Sequence, residues 1–232
     1  MNIVFTTPGP LSRRSIAAIV IGNLIPVVGV LFLGWDAGAI LILYWIENLI
    51  VGAFTLPRIL SAQGPAAAAG SVLGGTSFGA RLFMAIFFCF HYGMFWIGHG
   101  VFALMLAASF YGEEGLASDG GPVEAVGGMA TGSDAISFLV AVGALIVIHG
   151  IGFYREWIRS GLWRTATPNA EMFRPYGRLV VLHLTVLLGA FGLASVGAPA
   201  WTMLVLCGGK MMLELALAGA SLFKPKPVDQ ST

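Results

Sequence analysis

Four residues that can exchange protons or carry charge lie inside long apolar stretches of this chain. Glu47 sits in the middle of LILYWIENLIVGAFTL, residues 41–56, and His91, His149 and Lys210 occupy three other apolar runs. A carboxylate at membrane depth is costly unless it is paired or neutralised, so such residues indicate a functional site. We therefore take Glu47 as the starting point for function.

The depths of these groups in a membrane follow from counting residues at ~1.5 Å of helix each. Glu47 lies ten residues after Ala37, His91 ten after Arg81 and Lys210 eleven after Pro199, so the three share one central layer, with His149 beside it. The same count puts His99 about 12 Å nearer the outer face than His91. The remaining pair, His183 and Glu214, is predicted near the inner boundary.

A metal centre is the first hypothesis for this layer, with Glu47, His91 and His149 as its ligands. One carboxylate with two imidazoles suits iron, manganese or zinc. His91 and His149 alone could instead ligate one haem iron axially. His99 and His183 are secondary candidates, since His99 points about 80° away from His91 on a helix. The candidate cofactors are therefore haem or a transition metal, although the chain contains no HExxH or CxxCH motif.

A proton pathway is the second hypothesis, built on a polar cluster of five residues. Tyr44, Glu47 and Asn48 share one helical face through their i, i+3 and i+4 spacing. Lys210 can pair with Glu214 within its own helix, or with Glu47 across helices, and the sequence leaves both arrangements open. In the second arrangement the cluster continues toward the histidines as a broken line of polar groups, as in proton relays.

The composition places the chain among membrane proteins. It has 232 residues, of which 57% are hydrophobic and 10% charged, whereas soluble domains carry about 25% charged residues. A net charge of +1 without a basic patch predicts no nucleic-acid partner. Cys89 and Cys207 lie in apolar runs and indicate no disulfide framework.

The hydropathy pattern predicts an all-α integral membrane bundle that forms a single domain over residues 1–232. Six segments are long enough to cross about 30 Å of hydrocarbon. Their approximate ranges are 15–35, 37–56, 82–109, 135–157, 177–196 and 198–223. The Gly/Ala/Ser-rich loop 61–79 and the acidic, Gly-rich loop 111–133 are predicted to be flexible connectors.

The basic residues predict the orientation of the bundle. Every Lys and Arg except Lys210 falls on one side, which the positive-inside rule assigns to the cytoplasm together with both termini. The basic loop 159–174 is expected to lie at the surface of an anionic leaflet. The Lys and Arg residues assigned to the cytoplasmic side are Arg13, Arg14, Arg58, Arg81, Arg155, Arg159, Arg164, Arg174, Arg178, Lys224 and Lys226.

Two short elements carry a resemblance to a known family. The stretch from Trp35 to Phe54 contains Tyr44-Trp45-x-Glu47-Asn48, and the following apolar stretch contains His91-Tyr92-Gly93. Both resemble elements of a bacterial multi-pass membrane-protein family of no assigned function. The resemblance implies that these residues belong together in a bacterial inner membrane protein, and it implies no reaction.

Three functions follow from these patterns. The first is a binding or redox protein with an intramembrane metal or haem site, and the second is a proton-coupled small-solute carrier or channel that uses Glu47 and Lys210. The third is a structural or accessory subunit whose polar groups only specify helix packing. The expected partners are the lipid bilayer and a homo-oligomer or membrane complex. Enzymatic activity stays undecided, and no Gly-x-Ser-x-Gly motif indicates a hydrolase.

Overall fold

The computed structural model describes residues 13–33, 35, 37–64, 77–110, 133–180, 183–184, 187, 207–212 and 215, and all statements below concern this part of the chain. Every regular element within it is helical. The four long helices are α1 (Arg13–Phe32), α2 (Ala37–Ser61), α3 (Phe78–Phe110) and α4 (Ser133–Phe153).

A compact reversal of the chain follows α4. The helix continues as a π-helical segment, Tyr154–Arg159, and Gly161 then adopts φ 72°, a conformation that favours glycine. A 3₁₀ turn, Leu162–Arg164, leads to the short helix α5, Pro168–Phe173. The Thr167 hydroxyl caps α5 by accepting from the Ala170 backbone N–H, at 3.3 Å. Residues 176–180 and 207–212 are also helical.

Three of the described helices can cross a membrane by length and composition: Gly38–Ser61, Phe78–Ala107 and Ile136–Arg159. The apolar part of α1 that meets the hydropathy criterion is shorter, Val20–Phe32. With 33 residues, α3 is about 50 Å long and exceeds the hydrocarbon thickness of about 30 Å. These findings support a membrane protein.

The structure describes helices in the first four of the six predicted spans. The described helices overlap the first four ranges, and α2 runs on to Ser61 through Pro57 and Arg58. Most of the ranges 177–196 and 198–223 lies outside the described residues, as do Glu214, the central part of loop 61–79 and nearly all of loop 111–133. The number of spans and the orientation of the termini therefore stay predictions.

Helix α2 is central to the described part of the molecule, because it packs against α3, α4 and α5. Most of its apolar span is buried, whereas α3 and α4 leave large apolar side chains such as Phe90 and Leu139 exposed. Exposed apolar faces on long helices are what contact with lipid requires. The polar residues of α2 therefore lie in the protein interior, as Glu47 and Asn48 do.

The segment after α4 packs against α2, and the predicted contact of residues 159–174 with an anionic leaflet stays a prediction. The segment folds back onto the end of α2, where the Trp157 indole donates to the Ser61 hydroxyl at 2.8 Å and the Gln63 N–H donates to the Trp163 carbonyl at 2.8 Å. Met172 of α5 is buried against Ile59 and neighbouring apolar residues. Burial of these side chains stabilises the folded-back segment, which then delivers the helical residues 176–180 into the bundle.

Candidate functional site

The carboxylate of Glu47 is the centre of a buried group of charged and polar side chains. Its Oε2 lies 3.0 Å from Lys210 Nζ, and its Oε1 lies 2.5 Å from Arg178 Nη2. Glu47 and Lys210 are each only 4% exposed. Each carboxylate oxygen is thus held by a different cation, and the two cations come from two different segments of the chain.

Lys210 also contacts α1 and the face of α2 next to Glu47. Its Nζ lies 3.3 Å from the Asn23 carbonyl oxygen Oδ1 and 4.1 Å from the centre of the Tyr44 ring. The ring face carries partial negative charge and attracts a cation at this distance. Of the two pairings that the sequence left open for Lys210, the structure therefore shows the one with Glu47 across helices.

His149 completes the group from α4. Its Nδ1 donates to the Leu145 carbonyl at 2.9 Å, so in the neutral ring Nε2 is the acceptor. Arg178 Nη1 lies 3.3 Å from this nitrogen, and Glu47 Oε1 lies 3.8 Å from it. We call Asn23, Glu47, His149, Arg178 and Lys210 the central cluster.

Contacts between α2 and α3 fix the direction in which the Glu47 face points. Trp45 and Trp96 stack at 4.4 Å between ring centres, and each indole N–H donates to the other residue's backbone carbonyl, at 2.9 and 3.0 Å. Gly100 permits this packing, since an added Cβ would lie 2.5 Å from the Trp45 ring. The Tyr92 hydroxyl donates to the Asn48 carbonyl at 2.9 Å, one position beyond Glu47.

The predicted metal set of Glu47, His91 and His149 is not assembled, and this hypothesis is corrected. His91 Nδ1 bonds the Tyr176 hydroxyl at 2.6 Å, while the Glu47 oxygens face cations. Within the described ranges no three His, Cys, Asp or Glu residues are grouped closely enough to hold a metal ion. Both Glu47 oxygens are held by cationic groups, Arg178 and Lys210, whose positive charge repels a metal cation. Axial haem ligation stays a prediction that these contacts do not favour.

The predicted separation of His99 and His183 is wrong. His99 and His183 were expected at opposite ends of the membrane, yet His99 Nε2 lies 3.0 Å from His183 Nδ1. The cause is the folded-back segment before residue 176, which starts the next helix level with His91 rather than at the boundary. Tyr176 therefore meets His91, and His183 meets His99 two turns further along.

Arg178 is one of two residues of the central cluster that the sequence did not predict, because the positive-inside count assigned it to the cytoplasmic surface. Asn23 was also missed. Neither residue has a local pattern that marks it, since both belong to the cluster only through the packing of distant segments. Glu214, the fifth predicted member of the polar cluster, lies outside the described residues.

A second group of charges lies where α2 and α4 end. Arg58 approaches Glu171 at 3.6 Å and Glu156 at 3.7 Å. Arg174 approaches the same two carboxylates at 3.4 and 3.2 Å. The Arg58 guanidinium also lies over the Trp157 ring, 5.2 Å from its centre. We call Arg58, Glu156, Glu171 and Arg174 the boundary cluster.

The chain belongs to a family of unknown function, DUF6498, whose model matches residues 6–228. No match was found among the curated proteins, and none among the solved structures. Membership agrees with the resemblance noted in the sequence as far as an uncharacterised family is concerned. The Tyr-Trp-x-Glu-Asn and His-Tyr-Gly elements and a bacterial origin stay predictions.

Proposed function

We propose that this protein is a proton-coupled carrier or channel for a small solute, with Glu47 as its proton-binding group and Lys210 and Arg178 as exchangeable counter-ions. The observation that carries the proposal is the sharing of one buried carboxylate between two cations from different segments, with His149 beside it. We place the protein in the bacterial inner membrane as a six-span bundle with both termini cytoplasmic. The three span-forming helices and the one-sided distribution of the Lys and Arg residues other than Lys210 and Arg178 support that placement.

The coupling of protons to transport rests on the two charge states of Glu47, ionised and protonated, which hold the neighbouring segments differently. While Glu47 is ionised, it holds Arg178 and Lys210 and thereby holds their two segments against α2. A proton on Glu47 removes the negative charge that attracts both cations. Proton binding therefore shifts the equilibrium toward a packing in which these segments separate from α2, which is the requirement for a switch.

His149 supplies a route for the proton. In the resting arrangement its neutral Nε2 faces Arg178, and a proton on that nitrogen would repel the guanidinium. With Arg178 displaced, the proton can pass from His149 Nε2 to Glu47 Oε1, the carboxylate oxygen that Arg178 held. One proton moves, His149 returns to its neutral form and Glu47 becomes neutral.

The structural or accessory role is the second candidate, and one observation favours it. Through Glu47, Lys210 and Asn23, the central cluster joins α1, α2 and the 207–212 segment, and Arg178 and His149 add two more. A network of this kind can specify a unique packing without any transport. The two functions predict different results for Glu47→Gln, which removes the charge of the side chain and keeps its volume: only the carrier loses transport activity.

Transport currents in proteoliposomes distinguish the two functions. Purified protein is reconstituted, and currents are recorded under an imposed pH gradient with a panel of amino acids, sugars, organic acids and inorganic cations. We expect at least one class to give a current in wild type that Glu47→Gln abolishes, while Glu171→Gln retains it. A wild type indistinguishable from empty liposomes, or a Glu47→Gln variant with full current, would reject the carrier.

A further inference from the structure

A cavity of about 320 Å³ opens on the side of α3, beside the helical residues 183, 184 and 187. Met94, Phe95, Phe102 and Leu187 supply its apolar walls, and all four are more than 40% exposed. These α3 residues lie within the candidate span Phe78–Ala107, so a ligand would reach the cavity from the hydrocarbon of the bilayer.

The polar part of the cavity is the histidine pair that the sequence placed at opposite membrane faces. His99 Nδ1 donates to the Phe95 carbonyl at 2.7 Å, because a carbonyl oxygen can only accept. In the neutral ring His99 Nε2 is then an acceptor, and His183 Nδ1 must donate to it across 3.0 Å. The hydrogen of His183 is thus on Nδ1, and its Nε2 carries a lone pair.

Three of the four ring nitrogens are therefore used within the protein. The fourth, His183 Nε2, has no hydrogen-bond partner among the described residues. His183 lines the apolar cavity and carries this acceptor, which suits a ligand that has one hydroxyl donor on an apolar body. A ligand that can only accept, such as a ketone or a quinone, would bring a second lone pair against the first.

We propose that this cavity binds a membrane-soluble phenol whose hydroxyl group donates to His183 Nε2. The walls favour an aromatic ring, because the rings of Phe95 and Phe102 can pack against its edge or face. An apolar cavity of about 150 Å³ is sufficient for benzene, so the larger volume here has room for a ring with several substituents. The phenolic hydroxyl is a stronger donor than an aliphatic one, which strengthens its bond to imidazole.

This site does not depend on the transport function proposed above. The hydrogen bonds that hold Glu47 come from Arg178 and Lys210, and neither of these residues lines the cavity. A phenol bound here would fill the space between α3 and the segment that carries His183. The two proposals can therefore fail separately.

A series of three ring compounds tests the binding site in the full chain in detergent. Tetramethylhydroquinone carries hydroxyl donors, whereas its dimethyl ether and tetramethylbenzoquinone have the same ring and methyl groups without a donor. Dissociation constants are measured by equilibrium dialysis under argon. We expect the hydroquinone to bind at least about 5-fold more tightly than either analogue, the value of one ordinary hydrogen bond.

Two variants assign the preference to the histidine pair. His183→Phe keeps a ring at this position but removes the acceptor, so we expect the three affinities to become equal within about 2-fold. His91→Phe changes a histidine that does not line the cavity and should keep the preference. Equal affinities in wild type, no saturable binding, or a preference that survives in His183→Phe would overturn the proposal. The wild-type series decides the matter even where a variant does not fold.

Discussion

The central cluster and the boundary cluster use the same chemistry in two different surroundings. Each joins carboxylate oxygens to Arg or Lys nitrogens at 2.5–3.7 Å. In the central cluster the side chains of Glu47 and Lys210 are 5% and 4% exposed. In the boundary cluster Arg58 and Glu171 are similarly buried, but Glu156 and Arg174 are each 39% exposed.

The position of each cluster explains why only one of them indicates function. The boundary cluster lies where α2 ends and α5 folds back, so its exposed members can keep part of their hydration, and its role is to close the reversal after α4. The central cluster lies ten residues inside α2, where desolvation of the ions is most expensive. Apolar residues would pack five segments there at less cost, and the retained charges therefore suggest a switch.

The largest effect on stability is expected from Glu47→Ala. Removal of the carboxylate leaves the buried Lys210 without this partner, and loss of one member of a buried pair costs about 3–5 kcal/mol. The free energy of unfolding is measured in mixed detergent micelles. Glu47→Ala combined with Lys210→Met should recover part of the loss, since the double variant removes both buried charges. A loss below about 1 kcal/mol for the single variant, the range of exposed pairs, would contradict the burial seen here.

Arg174 and Arg178 are four residues apart but belong to different clusters. The same substitution at each position should therefore change the free energy of unfolding by different amounts, both smaller than the effect of Glu47→Ala. Arg178→Met removes a charged hydrogen bond to Glu47 and should cost about 1.5–3 kcal/mol. Arg174→Met removes contacts to Glu156 and Glu171 from a half-exposed side chain, and it should cost about 0–1 kcal/mol. The same unfolding measurement is used for both variants. Equal losses would show that the two clusters do not differ in the way described.

The smallest expected effect is a difference in salt dependence between the stability losses of Arg174→Met and Arg178→Met. The Debye length falls from about 10 Å at 0.1 M to about 3 Å at 1 M salt, and screening acts mainly on exposed charges. The partner of Arg174, Glu156, is 39% exposed, whereas the partner of Arg178, Glu47, is 5% exposed. The cost of Arg174→Met should therefore shrink toward zero at 1 M salt, while the cost of Arg178→Met should change less. A strong salt dependence of Arg178→Met would mean that water and ions reach the central cluster.

The sequence predicts what local pattern determines and misses what distant packing determines. The helical face of Tyr44, Glu47 and Asn48 followed from spacing, and the pairing of Lys210 with Glu47 was one of two arrangements that the sequence left open. The position of Arg178 did not follow from spacing, because the depth of its helix is set by the folded-back segment and α5, whose burial no periodicity shows. The folded-back segment also determines the depth of His183 and so brings His183 next to His99.

The metal hypothesis failed for a related reason. Equal depth on different helices is necessary for a shared site, but rotation of each helix decides which residues meet. The stacking of Trp45 on Trp96 and the Tyr92 contact fix the rotation of α2 against α3. His91 then faces Tyr176, and the cations face Glu47.

The most direct test of proton coupling removes the charge from one buried glutamate in each cluster and compares the two variants. Glu47→Gln and Glu171→Gln each neutralise a carboxylate held by two cations, and each variant is reconstituted at equal density for currents driven by a pH gradient. The account predicts that Glu47→Gln loses the proton-driven current and keeps the folded state, while Glu171→Gln keeps the wild-type current. Equal currents in the two folded variants would contradict it and leave the central cluster with a role in packing alone.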